Sequence, residues 1–171
     1  GWLVECRSSV DFPDQSGQAG SDEGRGLEER EDMARVEWKD DPDEHDYPAA
    51  EAYLGLLADR AVVAAIVEAL RGAPVTRHKA KDILRASGLP QLPADNVHVA
   101  KDVAKVKSGR PLSPVLLVRG EIGAGRPLQV ADGYHRVCAS YHLDEDTDIP
   151  CRMADVPHRY VPDVSRAGES Q

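Results

Sequence analysis

The apolar residues of this chain keep a helical period up to Ser108 and then lose it abruptly. That one change restricts the fold to helices followed by a small sheet. Between Pro48 and Arg71, Leu54, Leu57, Ala61 and Ala64 fall on one stripe, and Leu56, Val63, Val67 and Leu70 on another. Spacings of three and four residues keep side chains on one helix face. This predicts one long helix or two short ones, with Gly55 as the break and Gly72 and Pro74 as stop signals. Pro48 suits a first helical turn, with Asp46 nearby as its cap. A second helix is predicted over Thr76–Ser87, capped by Thr76, ended by Gly88, and carrying Ala80, Ile83 and Leu84 inward. Pro90 and Pro93 enforce an extended connection. A third helix is predicted from Asn96 to Ser108, with Val99, Val103 and Val106 on one face and Gly109 as its stop.

After Gly109 the pattern is that of short strands. Ser113–Arg119 is rich in branched apolar residues and reads as a buried strand. Gly120–Pro127 contains three glycines and reads as a hairpin loop, with Leu128–Ala131 as the returning strand. Tyr134–Leu143 is predicted as a helix with Val137, Cys138 and Tyr141 inward. Asp144–Asp148 is read as a solvated acidic loop and Ile149–Met153 as the final strand. The expected order is α-α-α-β-β-α-β, an α+β fold on a small mixed sheet. The expected organisation is an acidic disordered tail (1–47), a helical extension (48–95), the core (96–157) and a C-terminal tail (158–171).

Charge supports that division. The net charge is −9, yet residues 1–47 hold 15 Asp+Glu against 5 Lys+Arg, while residues 48–171 hold 15 against 16. The acidity belongs to the first quarter and does not argue against an anionic ligand for the rest. The Gly, Ser and acidic clusters of that quarter cannot repay the entropy of folding. The first Met is Met33, which is the expected translation start; residues 1–32 are then foreign to the native chain, or else a genuine acidic tail. The longest apolar run, Ala61–Val67, has seven residues, far short of the roughly 20 a membrane helix needs. Three cysteines, Cys6, Cys138 and Cys151, suit a reducing cytoplasm better than a disulfide scaffold.

One segment carries chemistry: Val130-Ala131-Asp132-Gly133-Tyr134-His135-Arg136, a strand end, a glycine and a helix start. The first amides of a helix lack intrahelical acceptors, and with the helix dipole they attract an anion. Arg136 can add a bidentate contact to phosphate, and His135 can donate and titrates near neutral pH. Gly133 lets a ligand approach the backbone. Asp132 can hold a divalent cation or accept a hydroxyl proton. The alternative is an ordinary helix start with surface basic residues.

This element resembles the N-terminal domain of ParB-type proteins, which shares its fold with sulfiredoxin. The ParB segment Gly-Glu-Arg-Arg falls on Gly133, Tyr134, His135 and Arg136, with Ala139 and Ser140 as the small pair that follows. A preceding family element falls on Gly109–Val115, and the resemblance spans about Val97–Met153. It implies a loop that binds nucleotide phosphates: CTP in ParB domains, ATP in sulfiredoxin, and a nucleotide in related serine kinases whose Asp-Gly-His-His-Arg-like loop is nearest to the version here. Asp132 and His135 are then the catalytic candidates. Gly133, Tyr134, His135 and Arg136 are the phosphate-binding ones, with Asp132 as a Mg2+ ligand. ATP, ADP or CTP are the expected nucleotides, and turnover would be phosphoryl transfer or hydrolysis. Tyr134 occupies the reactive Cys slot of sulfiredoxin, which excludes that chemistry. Cys138 replaces a second helix Arg of ParB, and no helix-turn-helix segment follows in this sequence.

Other groupings compete. His135, Cys138 and His142 share a helix face with Cys151 on a neighbouring strand, but the spacing matches no zinc knuckle, and no zinc site is expected. Residues 71–110 hold nine Lys+Arg against three acids, which favours an alternative function as a non-catalytic nucleic-acid- or protein-binding module. No aromatics interleave there to stack bases, so solvated helix faces are the simpler reading.

Overall fold

The structure is a computed structural model that describes residues 35–157. The expectations for residues 1–34 and 158–171 lie outside the described residues. Five α-helices and a four-stranded mixed sheet make up the described residues. Helix α1 spans Asp46–Leu54, α2 Arg60–Gly72, β1 Val75–Lys79, α3 Ala80–Ser87 and α4 Val97–Lys107. Strand β2 spans Val115–Val118, β3 Gln129–Asp132, α5 Tyr134–Leu143 and β4 Asp148–Ala154. The sheet order is β1-β4-β2-β3, with β2 and β4 parallel and both outer pairs antiparallel.

Strand β2 is buried on both faces, which is why Val115–Val118 is an uninterrupted apolar run. Its side chains alternate between two cores, as the period of a strand requires. Val115 and Leu117 join Ile83, Val99, Val137 and Ile149 beneath α3, α4 and α5. Leu116 and Val118 join Leu54, Val63, Ile66 and Leu70 beneath α1 and α2. The result is a three-layer sandwich in which the sheet keeps the two sets of helices apart.

Helix starts follow local chemistry where a side chain can reach. Asp59 caps α2 by accepting from the Ala61 and Val62 amides at 3.0 and 3.1 Å. Asn96 caps α4 by accepting from His98 and Val99 at 3.0 and 3.4 Å. Asn96→Ala is expected to lower stability by about 1 kcal/mol, the usual worth of such a cap, as read from thermal unfolding.

Three expectations are corrected. The helix expected from Thr76 begins at Ala80, because Val75–Lys79 pairs with β4 instead, Thr76 opposite Cys151. Edge pairing overrides the local pattern, and all three apolar residues of the expected helix lie after the strand. Strand β1 therefore draws part of the expected helical extension into the sheet. Helix α3 has no side-chain cap; the Ala80 and Lys81 amides donate to the Thr147 and Glu145 carbonyls at 3.0 and 3.1 Å. The acidic loop is thus a cap for α3, and Asp146 also pairs with Lys79 and Lys81. Finally, residues 35–47 are built into the fold rather than into a tail. Trp38 bridges to Leu112, with Lys39 N–H donating to Leu112 O at 2.8 Å.

Candidate functional site

Gly133 ends β3 with φ of +99°, turning the chain directly into α5. A Cβ there would lie 2.9 Å from Val115 Cγ2 and 3.1 Å from Arg136 Nε, so the position has no room for a side chain. Arg136 folds back across this turn. Its Nη1 donates to Asp46 Oδ2 at 3.1 Å and to the Ser113 carbonyl at 3.1 Å, and its Nη2 donates to Asp132 Oδ2. One guanidinium thus joins α1, the segment leading into β2, the end of β3 and the first turn of α5.

Asp46 is held from several sides. Ser113 Oγ donates to Asp46 Oδ2 at 2.5 Å, and the Asp43 amide donates to the same oxygen at 3.2 Å. The Asp43 amide also donates to Ser113 Oγ at 2.9 Å. His45 Nε2 lies 3.4 Å from Asp46 Oδ1. The side chains of Asp46 and Arg136 are only 4 % and 11 % exposed, and that of Asp132 is 22 %.

The two carboxyls are pushed in opposite directions. Burial opposes ionisation of Asp46, but the Arg136 charge and the bonds from Ser113 and Arg136 outweigh it and hold the group below its ordinary value. Burial also disfavours the charged form of Asp132. Arg136 counters this, the Asp46 carboxylate reinforces it, and the net effect is a raised value despite a hydrogen bond from the Gly133 amide. Two acids facing one cation are thus shifted in opposite directions, Asp46 towards easier and Asp132 towards harder ionisation, the kind of split that separates acid and base roles.

This pair forms the floor of a cleft of about 540 Å³, within the roughly 300–1,000 Å³ typical of small-molecule sites. Lys39, Lys105, Arg110 and His135 line its walls. Lys39 pairs with Asp43 at 2.8 Å and Lys105 with Asp102 at 2.7 Å, whereas Arg110 Nε donates to Ser108 Oγ at 3.0 Å. His135 lies against His98, with ring centroids 4.7 Å apart.

The expected site residues divide accordingly. Asp132, Gly133, His135 and Arg136 all line this cleft. Tyr134 turns away, its hydroxyl donating to the Pro90 carbonyl, so its side chain serves the α3–α4 connection. Cys138 and Cys151 are buried in the core, where burial raises both thiols. His142 sits against the Leu92 carbonyl at 2.7 Å. Among the described residues no three His, Cys, Asp or Glu converge as metal ligands. The basic residues of 71–110 spread over α2, β1, α3 and α4 and the loop after it, and Arg71, Lys79, Lys81, Arg85 and Lys105 are paired with acids.

Sequence reasoning missed Asp46 and Ser113. Asp46 was expected as a helix cap, yet the cap position is His45, without a side-chain hydrogen bond, and Asp46 faces the site instead. Its partners Ser113 and Arg136 are 67 and 90 residues away, and no local signal encodes such a contact.

Comparison with protein-family models, curated proteins and solved structures returns no match. No helix among the described residues is long and apolar enough to cross a membrane.

Proposed function

We propose that this protein binds a nucleotide through its phosphates in the cleft at the start of α5, and supports phosphoryl transfer or hydrolysis there. The observation that carries the reading is the convergence of one helix N-terminus, three basic rim residues and a divided carboxyl pair on one cleft. Phosphates would meet the first amides of α5 and the cations Lys39, Lys105 and Arg110. Arg136 is already engaged by Asp46 and Asp132, so its main work is to hold that pair; it reaches phosphate only by exchanging a carboxylate partner. Asp132, the more accessible acid, can give or take a proton, and His135 can accept one.

Mg2+ is compatible with this donor set only as a shared ligand. It commonly keeps waters and takes one or two carboxylates plus substrate phosphates, and Asp132 supplies one such carboxylate. When bound, the ion would neutralise phosphate charge. The resemblance to ParB-type and sulfiredoxin-like domains supports the same ligand class, with ATP, ADP and CTP as the nucleotides to try.

Titration calorimetry with ATP, ADP and CTP, each with Mg2+, tests this. Binding is expected, and Arg110→Ala is expected to weaken it about tenfold, the loss of one charge-assisted contact of roughly 1.5 kcal/mol. No heat with any nucleotide sinks the reading. Nucleic-acid binding without nucleotide binding favours the alternative of a non-catalytic module using the basic segment 71–110.

A further inference from the structure

A second titratable pair stands in the wall of the cleft. His98, in the first turn of α4, and His135, in the first turn of α5, hold their rings 4.7 Å apart with a tilt of 39°. The contact is a product of tertiary packing, since the two residues lie on different helices that contribute Val99 and Val137 to the same core. His98 is exposed, whereas His135 is half-buried and lines the cleft. One imidazole therefore covers another that faces the site.

We propose that His98 is a positioning residue that keeps His135 a neutral, proton-accepting imidazole in the cleft. This rests on the reading that the cleft takes a phosphorylated ligand, and it adds what that ligand must bring. The partner of His135 is a hydrogen-bond donor, either a hydroxyl group of an acceptor substrate or a protonated phosphate oxygen. That O–H donates a hydrogen bond to the unprotonated ring nitrogen of His135, and no covalent bond changes in the bound ground state.

The surroundings favour the neutral form. Burial and then the neighbouring His98 lower the His135 value from its ordinary 6.5, and Asp102 on α4 pulls the other way without overcoming them. Lys105 and Arg136 line the same cleft and add positive charge, while Asp132, Asp46 and His45 line it from β3 and α1. Tyr134 is the remaining ring in reach, 5.9 Å from His135. Two imidazoles in contact share a second proton reluctantly because like charges repel in a partly dry site.

Histidine ring NMR across pH on the full chain decides the matter, with each signal assigned from a His→Gln variant. His135 is expected to titrate below 6.5. In His98→Ala its midpoint is expected to rise as both the cover and the like charge go. His98→Phe keeps the ring cover and removes the charge, and is expected to land between the two. A wild-type midpoint at or above 6.5, or no movement in either variant, overturns the proposal. The titration needs no ligand, so absence of nucleotide heat sinks the phosphate reading separately, while an unmoved midpoint sinks this one.

Discussion

Arg136→Met is expected to lower stability by about 3–5 kcal/mol, the typical cost of removing one partner from a buried charge pair. The loss should shrink as pH falls. Arg136 is the cation that both Asp46 and Asp132 face, and the side chains of Asp46 and Arg136 are nearly shut off from water. Methionine fills similar space but leaves two carboxyls confronting each other. Without the guanidinium, burial and mutual repulsion are opposed only by the bonds from Ser113 and the Asp43 amide to Asp46 and from the Gly133 amide to Asp132, so the folded-state values of both acids are expected to rise above their unfolded ones. A carboxyl raised in the folded state contributes stability that is complete below its unfolded value and is lost as pH climbs through the folded one. Acidifying the variant from pH 7 towards 3.8, the ordinary carboxyl value, should therefore recover stability. In the wild type Asp46 behaves oppositely: its value is lowered, so its contribution holds down to 3.8 and is lost below it. Urea unfolding of both proteins at neutral and mildly acid pH reads the difference. A loss under about 1 kcal/mol, the scale of exposed pairs, or one that deepens in acid, contradicts the bridging role.

Gly133→Ala should be the second large effect, and it should strike the site as well as the fold. The φ of +99° is unfavourable for any residue with a Cβ, at a cost of roughly 1–3 kcal/mol. The new methyl group would also press on Val115 Cγ2 at 2.9 Å and on the Arg136 guanidinium at 3.1 and 3.2 Å. Overpacking of that kind adds about 1–3 kcal/mol. Val115 is a core residue of the central strand and yields little; Arg136 can swing, but only by loosening Asp46 and Asp132. Gly133→Ala is therefore expected to lower the melting temperature and also to weaken nucleotide binding more than its stability loss explains. Gly123→Ala is the control, because nothing lies within 4 Å of its Cβ position and it sits in the distant hairpin loop. Equal melting temperatures for the two variants would contradict the close-packed turn.

Much of this fold is written locally. Helix α5 is predicted with the bounds it has, because a glycine that frees the backbone precedes it and an apolar stripe runs along it. Helix α4, whose start is set by Asn96, and β2, whose four consecutive buried apolar residues suit a strand with helices on both faces, lie within the wider expected spans Asn96–Ser108 and Ser113–Arg119. The strand–glycine–helix element could be singled out as an anion site because strand end, glycine and polar helix start are consecutive in the chain.

What could not be read there is what depends on contacts between distant segments. Strand β1 exists because β4 offers it an edge, and Val75–Lys79 alone carries no period that distinguishes it from a helix start. Arg136 reads from the sequence as a phosphate clamp; in the fold its guanidinium is engaged by Asp132, four residues earlier, and by Asp46, 90 residues earlier, and the second partner has no local signal. The chain therefore encodes its helices, its central strand and the turn at Gly133 through short-range sterics and periodicity. The partners of Arg136, the opposite shifts of Asp46 and Asp132, and the contact of the His98 and His135 rings arise only on packing. Charge and burial act through space, and only folding sets which groups are close and which are dry.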